Sequence, residues 1–134
     1  DKIKNPQSDY WAILHVNIQD NYYIQFRTTD DENILEVEVS GSHYDSKRID
    51  EEKLKIIEKY GYKYPDSDNP NFHKNVDLTQ TTIYHLSAEI YEILTNMLDL
   101  ENNLPLKVEF DKDSIRSESK FIEFLSKIIK KLRD

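Results

Sequence analysis

Four histidines, His15, His43, His73 and His85, are the residues best suited to metal binding or proton transfer. None belongs to an HExxH motif and no two lie four apart on a predicted helix, so a zinc site is not expected. His15 falls on a predicted strand and His85 near a predicted helix start, which favours structural or merely exposed roles. His43 and His73 fall in predicted loops and could act as general bases. Ser42 precedes His43, but a catalytic pair is assembled in space rather than along the chain.

Residues 66–69, with the sequence DSDN, begin like a calcium-binding loop, and Asp77 occupies its twelfth position. The pattern then departs from such loops, because Pro70 stands at the fifth position and Asn71 replaces the glycine that the sharp turn requires. Asp77 is also a shorter ligand than the usual glutamate. The same residues are typical of a turn in which Asp and Asn side chains cap the backbone, and the sequence favours that interpretation.

Carboxylates are abundant, and Glu36 and Glu38 stand out because they share one face of a predicted strand. Strand geometry separates them by about 7 Å, which is compatible with a glycosidase pair. On a wet face, however, nothing raises the pKa of one member. We therefore interpret both as solubilising charges that also offer an electrostatic surface to a partner.

Composition excludes several classes of site. The 134 residues include no cysteine, so disulfides, thiolate zinc sites, iron–sulfur clusters and cysteine nucleophiles are impossible. The two glycines, Gly41 and Gly61, are too few for a Walker loop or a dinucleotide-binding fingerprint. No catalytic residue, metal or cofactor is expected.

The net charge of −8 is unevenly distributed and disfavours nucleic acid as a partner. Residues 28–52 carry nine acids against two bases, whereas residues 115–134 carry six bases against three acids. These are typical of solvated surfaces, and an acidic surface for a cationic protein is the functional alternative. No apolar run approaches the ~20 residues of a membrane span, and no leader peptide is visible, so no membrane partner and a cytoplasmic location are expected. The sequence starts at Asp1 and leaves open what precedes it.

The elements that must position these residues begin with three strands. Residues 11–18, 22–26 and 34–39 alternate apolar and other side chains with a period of two, which predicts strands. The third places its aliphatic residues on one face and its acids on the other: Leu35, Val37 and Val39 against Glu36 and Glu38. We expect an antiparallel meander with one wet, acidic face.

Helices are expected after the meander. Asp50 is a suitable N-cap for a helix that ends at Gly61, and residues 61–80, rich in Asp, Asn, Ser and Pro, predict a long ordered loop. A second helix is expected from about Thr82 to Leu100 because its apolar residues form one stripe. A short strand over 104–110 and a C-terminal amphipathic helix over about 114–133 complete the order βββ-α-α-β-α. This order predicts a single α+β domain, 1–134, with an antiparallel β-meander and helices packed on one face.

An aromatic cluster, Tyr60, Tyr62, Tyr64 and Phe72, gathers around Gly61. Tyrosine combines a large contact area with a hydrogen-bonding tip, which suits protein interfaces. The equal alternative is that these rings seal the loop against the sheet.

Five segments occur in an order shared with a known group: YIQF at 23–26, the strand at 34–39, YGY at 60–62, PD at 65–66 and PNF at 70–72. The chain resembles the TY-chaperone (TY-Chap) group of bacterial proteins, which is related in fold to the type III secretion chaperones. The resemblance covers about residues 10–110. It departs from the group's pattern where Tyr60 replaces a usual leucine and Tyr62 a usual tryptophan, and no helix is predicted ahead of the first strand.

The resemblance implies a small α+β domain, often a homodimer, that holds another protein and has no catalytic residues to carry over. We therefore expect a non-enzymatic, secretion-chaperone-like domain that escorts a secreted or toxic protein. The expected partner-binding residues are Tyr62, Tyr64 and Phe72, with Glu36 and Glu38 as a secondary electrostatic surface. The alternative is an acidic immunity protein that inhibits a cationic toxin such as a nuclease. A hydrolase that uses one of the loop histidines is a third, weaker hypothesis.

Overall fold

A computed structural model of the protein describes residues 11–17, 22–31, 33–41, 50–98 and 107–110, together with residues 126, 127 and 130. Its centre is a five-stranded antiparallel sheet with the strand order β4-β3-β2-β1-β5. The strands are β1 (Trp11–Asn17), β2 (Tyr22–Thr28), β3 (Ile34–Val39), β4 (Phe72–Asp77) and β5 (Lys107–Phe110). Helix α1 (Glu51–Lys59) precedes β4, and helix α2 (Ile83–Glu92) follows it and continues into a π-turn (Ile93–Met97).

The predicted strand faces are confirmed, because the sheet buries alternate residues. The buried strand residues share one face of the sheet: Ala12, Leu14, Val16, Ile24, Phe26, Leu35, Val37, Val39, Phe72 and Val76. The buried residues of the helices, Ile57, Leu86 and Ile90, belong to the same hydrophobic core. Both described helices therefore pack on one face of the sheet, as predicted for this α+β fold.

Both helices begin where the sequence predicts. The Asp50 side chain accepts a hydrogen bond of 3.0 Å from the Lys53 amide, and Thr82 caps α2 through its hydroxyl in the same way. These caps satisfy amides that have no partner inside the helix. Helix α1 ends at Lys59, and after the C-cap Tyr60 the chain turns at Gly61, whose φ of 77° is costly for any residue with a Cβ atom.

One expectation about the elements was wrong. The predicted loop over 61–80 contains β4, which pairs along its full length with β3. Its alternation was obscured because Lys74, and not an apolar residue, lies between Phe72 and Val76 on the core face. The second predicted helix is confirmed as far as Met97, although its last described turn is π-helical rather than α-helical, and residues 99 and 100 lie outside the described residues.

Other expectations lie partly outside the described residues. The final strand is present over Lys107–Phe110, and the rest of the predicted 104–110 segment is not described. The predicted C-terminal helix of about 114–133 also lies outside the described residues, apart from three positions. Within the described part of the chain, no helix is both long and apolar enough to cross a membrane.

Candidate functional site

The sheet face turned away from the core, here called the polar face, is the first candidate surface. Its register aligns one residue from each strand in a row: His73, Glu38, Gln25, Ile13 and Glu109. The described residues in this row are partly or fully exposed. The buried residues of α1 and α2 belong to the core on the opposite side of the sheet, so these helix residues do not cover the polar face. The polar face is therefore the wet side that the alternation predicts.

Glu36 and Glu38 lie on the polar face, as predicted, and each has a partner there. Glu36 Oε1 is 3.5 Å from Arg27 Nη1, and both side chains are substantially exposed. Glu38 Oε1 accepts a hydrogen bond of 2.9 Å from the Asn71 side-chain amide. Pairing with Arg27 contributes little to stability at this exposure, so Glu36 remains available to a charged partner.

An excess of negative charge collects where the β2–β3 turn meets the last residue of β4. This region, here called the acidic end, consists of Asp30, Asp31, Glu36 and Asp77, with Arg27 as the neighbouring base. Asp77 accepts hydrogen bonds from the side chain and the backbone amide of a threonine two residues later. These hydrogen bonds, the side-chain one foremost, lower the pKa of Asp77 below its usual value. Asp77 therefore keeps its charge to a lower pH than an ordinary Asp does.

The prediction that aromatic side chains contact a partner needs correction for two of its three residues. Phe72 is fully buried and Tyr62 is 5% exposed, so neither offers surface to a partner in this conformation. Tyr64 is half-buried, meets Phe72 edge-to-face at 5.6 Å between ring centroids, and donates a hydrogen bond to Glu58 of α1. The rings therefore pack the loop against the core, which is the second of the two interpretations. The five predicted contact residues do not form one site.

Asn71, in the PNF segment before β4, is hydrogen-bonded to the loop that follows β3. Asn71 Oδ1 accepts from the Gly41 amide at 3.0 Å, while Asn71 Nδ2 donates to Glu38 and to the Tyr23 hydroxyl. A Cβ atom on Gly41 would lie 2.1 Å from the Pro70 carbonyl oxygen. Glycine is required at this close approach, and Asn71 holds the two loops together.

A buried ion cluster on the core face was not predicted from the sequence. Lys74 Nζ lies 2.7 Å from Glu89 Oε2, and only 16% of the lysine side chain and 11% of the glutamate side chain are exposed. The Tyr62 hydroxyl donates to the same carboxylate oxygen at 2.8 Å, and Lys74 also donates to the Tyr60 carbonyl. Lys74 Nζ is 4.5 Å from the centroid of the Tyr62 ring, a cation–π distance. The cluster joins β4, α2 and the segment after α1.

Burial is the main reason that the pKa of Tyr62 is raised well above the usual value, and the neighbouring Glu89 charge adds to the shift. At its rim, the Tyr60 hydroxyl donates a short hydrogen bond to Glu92, which also receives one from Lys59. The hydrogen bond from Tyr60 and the pairing with Lys59 lower the pKa of Glu92. Tyr62 therefore stays protonated and remains a hydrogen-bond donor to Glu89.

The histidines do not form a metal site in the described residues. His15 Nε2 is 2.9 Å from Glu109 Oε1, and His73, which lies in β4 and not in a loop, has Nδ1 2.9 Å from the Asn71 carbonyl. His43 lies outside the described residues. Across the described ranges, no group of three or more potential His, Cys, Asp or Glu ligands could hold a metal ion.

The DSDN segment forms the capping turn that the sequence favours. Asp66 Oδ1 accepts hydrogen bonds from the amides of Asp68 at 2.8 Å and Asn69 at 2.9 Å. These hydrogen bonds lower the pKa of Asp66. The Asp66 carboxylate therefore stabilises the turn in which it lies.

Comparison with known proteins adds no assignment. Neither a protein-family model, nor a curated protein, nor a solved structure matches the chain. The likeness to the TY-chaperone group stays a prediction.

Proposed function

We propose that this chain is a non-enzymatic protein-binding domain that escorts a basic, secreted or toxic protein. The partner contacts the polar face and the acidic end of the sheet. Glu36 and Glu38 keep the roles expected of them, whereas Tyr62 and Phe72 support the surface from inside the core.

The observation that carries the proposal is the difference between the two faces of the sheet. One face is covered by the hydrophobic core that the strands and helices share. The other face presents partly exposed side chains and carries the acidic end at one side. Such a surface favours a partner of opposite charge, because complementary potentials speed association and disfavour acidic competitors. The net charge of −8 acts in the same direction.

Inhibition of a cationic toxin is the second candidate function, and the same charge supports it. The two functions differ in what the complex does. An inhibitor holds a folded toxin and abolishes its activity, and it associates at a rate that falls steeply with added salt. An escort holds its partner in an extended or incompletely folded state.

The test is capture with the immobilised protein from the native cell, followed by binding measurements on the purified pair. Asp30→Asn with Asp31→Asn removes two charges from the acidic end. Glu51→Gln with Glu52→Gln, in the exposed first turn of α1, removes the same number elsewhere.

We expect the acidic-end variant to lose about tenfold in affinity and the helix variant to lose less than about threefold. The losses differ because a charge close to the bound partner contributes more to binding than a charge distant from it. Equal losses in the two variants would show that the acidic end is not the contact surface. A captured partner that is neither basic nor a secreted or toxic protein would contradict the proposal as a whole.

A further inference from the structure

The outer edge of β4 is already paired at one residue. Lys63, in the segment after α1, donates from its amide to the His73 carbonyl at 2.8 Å and accepts from the His73 amide at 3.1 Å. Such a reciprocal pair is the unit of an antiparallel ladder. The backbone of His73 therefore points away from β3, towards the outside of the sheet.

Strand geometry carries this orientation along β4. Because backbone groups alternate in direction, Asn75 and Asp77 share the outward direction of His73, while Lys74 and Val76 point towards β3. The Leu78 amide, which donates to Asn33 just before β3 at 2.7 Å, fits the inward series. Among the described residues, no hydrogen bond uses the outward amide or carbonyl of Asn75, and this residue is exposed. At Asp77 the carbonyl already accepts a hydrogen bond of 3.0 Å from the Gln80 amide, so only its amide is open to an added strand.

The pairing stops at His73 because the chain turns away. Continuing the antiparallel register from Lys63 would place Gly61 opposite Asn75. Instead, Gly61 adopts a φ of 77° and donates its amide to the Glu58 carbonyl, which closes α1. The ladder is thus begun by the chain itself and left incomplete at Asn75.

Two carboxylates lie beside Asn75 on this edge, with Arg27 paired to one of them and the exposed Lys63 further along, opposite His73. Glu36 is the cross-strand neighbour of Asn75, and Asp77 lies two residues along the same edge. Both side chains share the polar face with Asn75, because they occupy equivalent positions in the pleat. An added strand would therefore place every second side chain beside the acidic end.

We propose that the β4 edge at Asn75–Asp77 takes an extended segment of the partner protein as a sixth strand, with Lys or Arg at alternate positions. This inference rests on the proposed function, which supplies the basic character of the partner. Backbone hydrogen bonds to Asn75 hold the segment, and its basic side chains lie over Glu36 and Asp77. An unpaired edge is a template for such pairing.

The test uses a ten-residue peptide that alternates lysine and threonine, with a glutamate–threonine peptide of the same length as its control. Binding is followed by fluorescence anisotropy and by amide hydrogen exchange on the wild-type protein. Asn75→Pro removes the outward amide, and Asn75→Ala keeps it. Proline is tolerated where an edge amide faces outward, and far-ultraviolet circular dichroism checks that the variant is folded.

We expect the lysine peptide alone to bind and to slow exchange of the Asn75 amide by about tenfold or more. Asn75→Pro then weakens binding by about tenfold, the effect of losing one backbone hydrogen bond, and Asn75→Ala by less than about threefold. If Asn75→Pro does not fold, the exchange measurement on the wild type decides.

Binding of the lysine peptide without protection of Asn75 would overturn the edge inference and leave the acidic surface of the proposed function intact. Failure of the lysine peptide to bind would overturn the edge inference as well. The proposed function has a separate test in the captured partner and the Asp30 and Asp31 substitutions.

Discussion

The Lys74–Glu89 pair offers the sharpest test of how the core is held together. Lys74→Met removes the cation and leaves the Glu89 carboxylate largely buried, with the Tyr62 hydroxyl as its donor. Glu89→Gln removes the anion, retains an acceptor for Tyr62 and leaves Lys74 beside the Tyr60 carbonyl. Each single substitution therefore strands one charge inside the protein.

Breaking a fully buried ion pair costs about 3–5 kcal/mol. Because 16% and 11% of the two side chains remain exposed, we expect about 2–4 kcal/mol for each single substitution. The double substitution leaves no stranded charge, so its cost falls to about 1–2 kcal/mol, the order of the lost hydrogen bonds. The coupling between the sites, which is the sum of the two single losses minus the loss in the double variant, is then about 3–6 kcal/mol.

The assay is urea unfolding at pH 7, followed by circular dichroism and by the fluorescence of Trp11. Linear extrapolation gives the free energy of unfolding, and an unchanged slope shows that the substitutions act on stability. Lys55→Met and Glu52→Gln form the matched control, since this pair is 3.1 Å apart with side chains 67% and 82% exposed. We expect that control pair to change stability by less than about 1 kcal/mol.

Two outcomes would refute this reasoning. The first is a loss in Lys74→Met no larger than the loss in Lys55→Met. The second is a double variant whose destabilisation equals the sum of the single losses, because independent sites add and a coupled pair does not.

Three further predictions concern single positions. Gly41→Ala should lower the free energy of unfolding by about 2–3 kcal/mol because its Cβ overlaps a carbonyl oxygen. Gly61→Ala should lower it by about 1 kcal/mol from its positive φ alone. Urea unfolding measures both losses, and equal losses would contradict the argument. Phe72→Ala should lower stability by about 3–5 kcal/mol and Tyr64→Ala by about 1 kcal/mol, and similar thermal midpoints for the two would show that Phe72 is not core. Because the pKa of Asp77 is lowered by folding, its stabilising effect is complete above the ordinary pKa of an unfolded Asp and is lost as pH falls through the folded value. Asp77→Asn should therefore destabilise at pH 7 and approach the wild type as pH falls below the ordinary range of an Asp carboxyl, whereas a pH-independent difference would contradict the assignment.

The sequence predicted the parts of the fold that depend on local patterns. Strand alternation gave the faces of β1, β2 and β3, because a residue's face follows directly from its position in the pleat. The cap at Asp50 and the start of a helix near Thr82 were also predicted, since short polar side chains satisfy the first helical amides wherever a helix begins.

What the sequence did not reveal depends on partners distant along the chain. Strand β4 was missed because Lys74 interrupts its apolar positions, and that lysine is tolerated only because Glu89 and Tyr62 meet it from elsewhere in the chain. The aromatic cluster left two interpretations open, because burial of Phe72 depends on a strand that had not been predicted. The signal for β4 in the sequence was the alternation of Phe72, Lys74 and Val76, which predicts a strand once the lysine is allowed a buried acidic partner.

The pairing of β1 with β5 has a consequence for the growing polypeptide during translation. Ala12 lies opposite Phe110, so the first described strand receives its outer neighbour only after nearly all of the described chain has left the ribosome. Until then β1 is the border of a four-stranded intermediate whose ladder can accept a strand from another nascent molecule. Docking of Lys107–Phe110 closes that border, and chains truncated before Lys107 should aggregate more readily than longer ones.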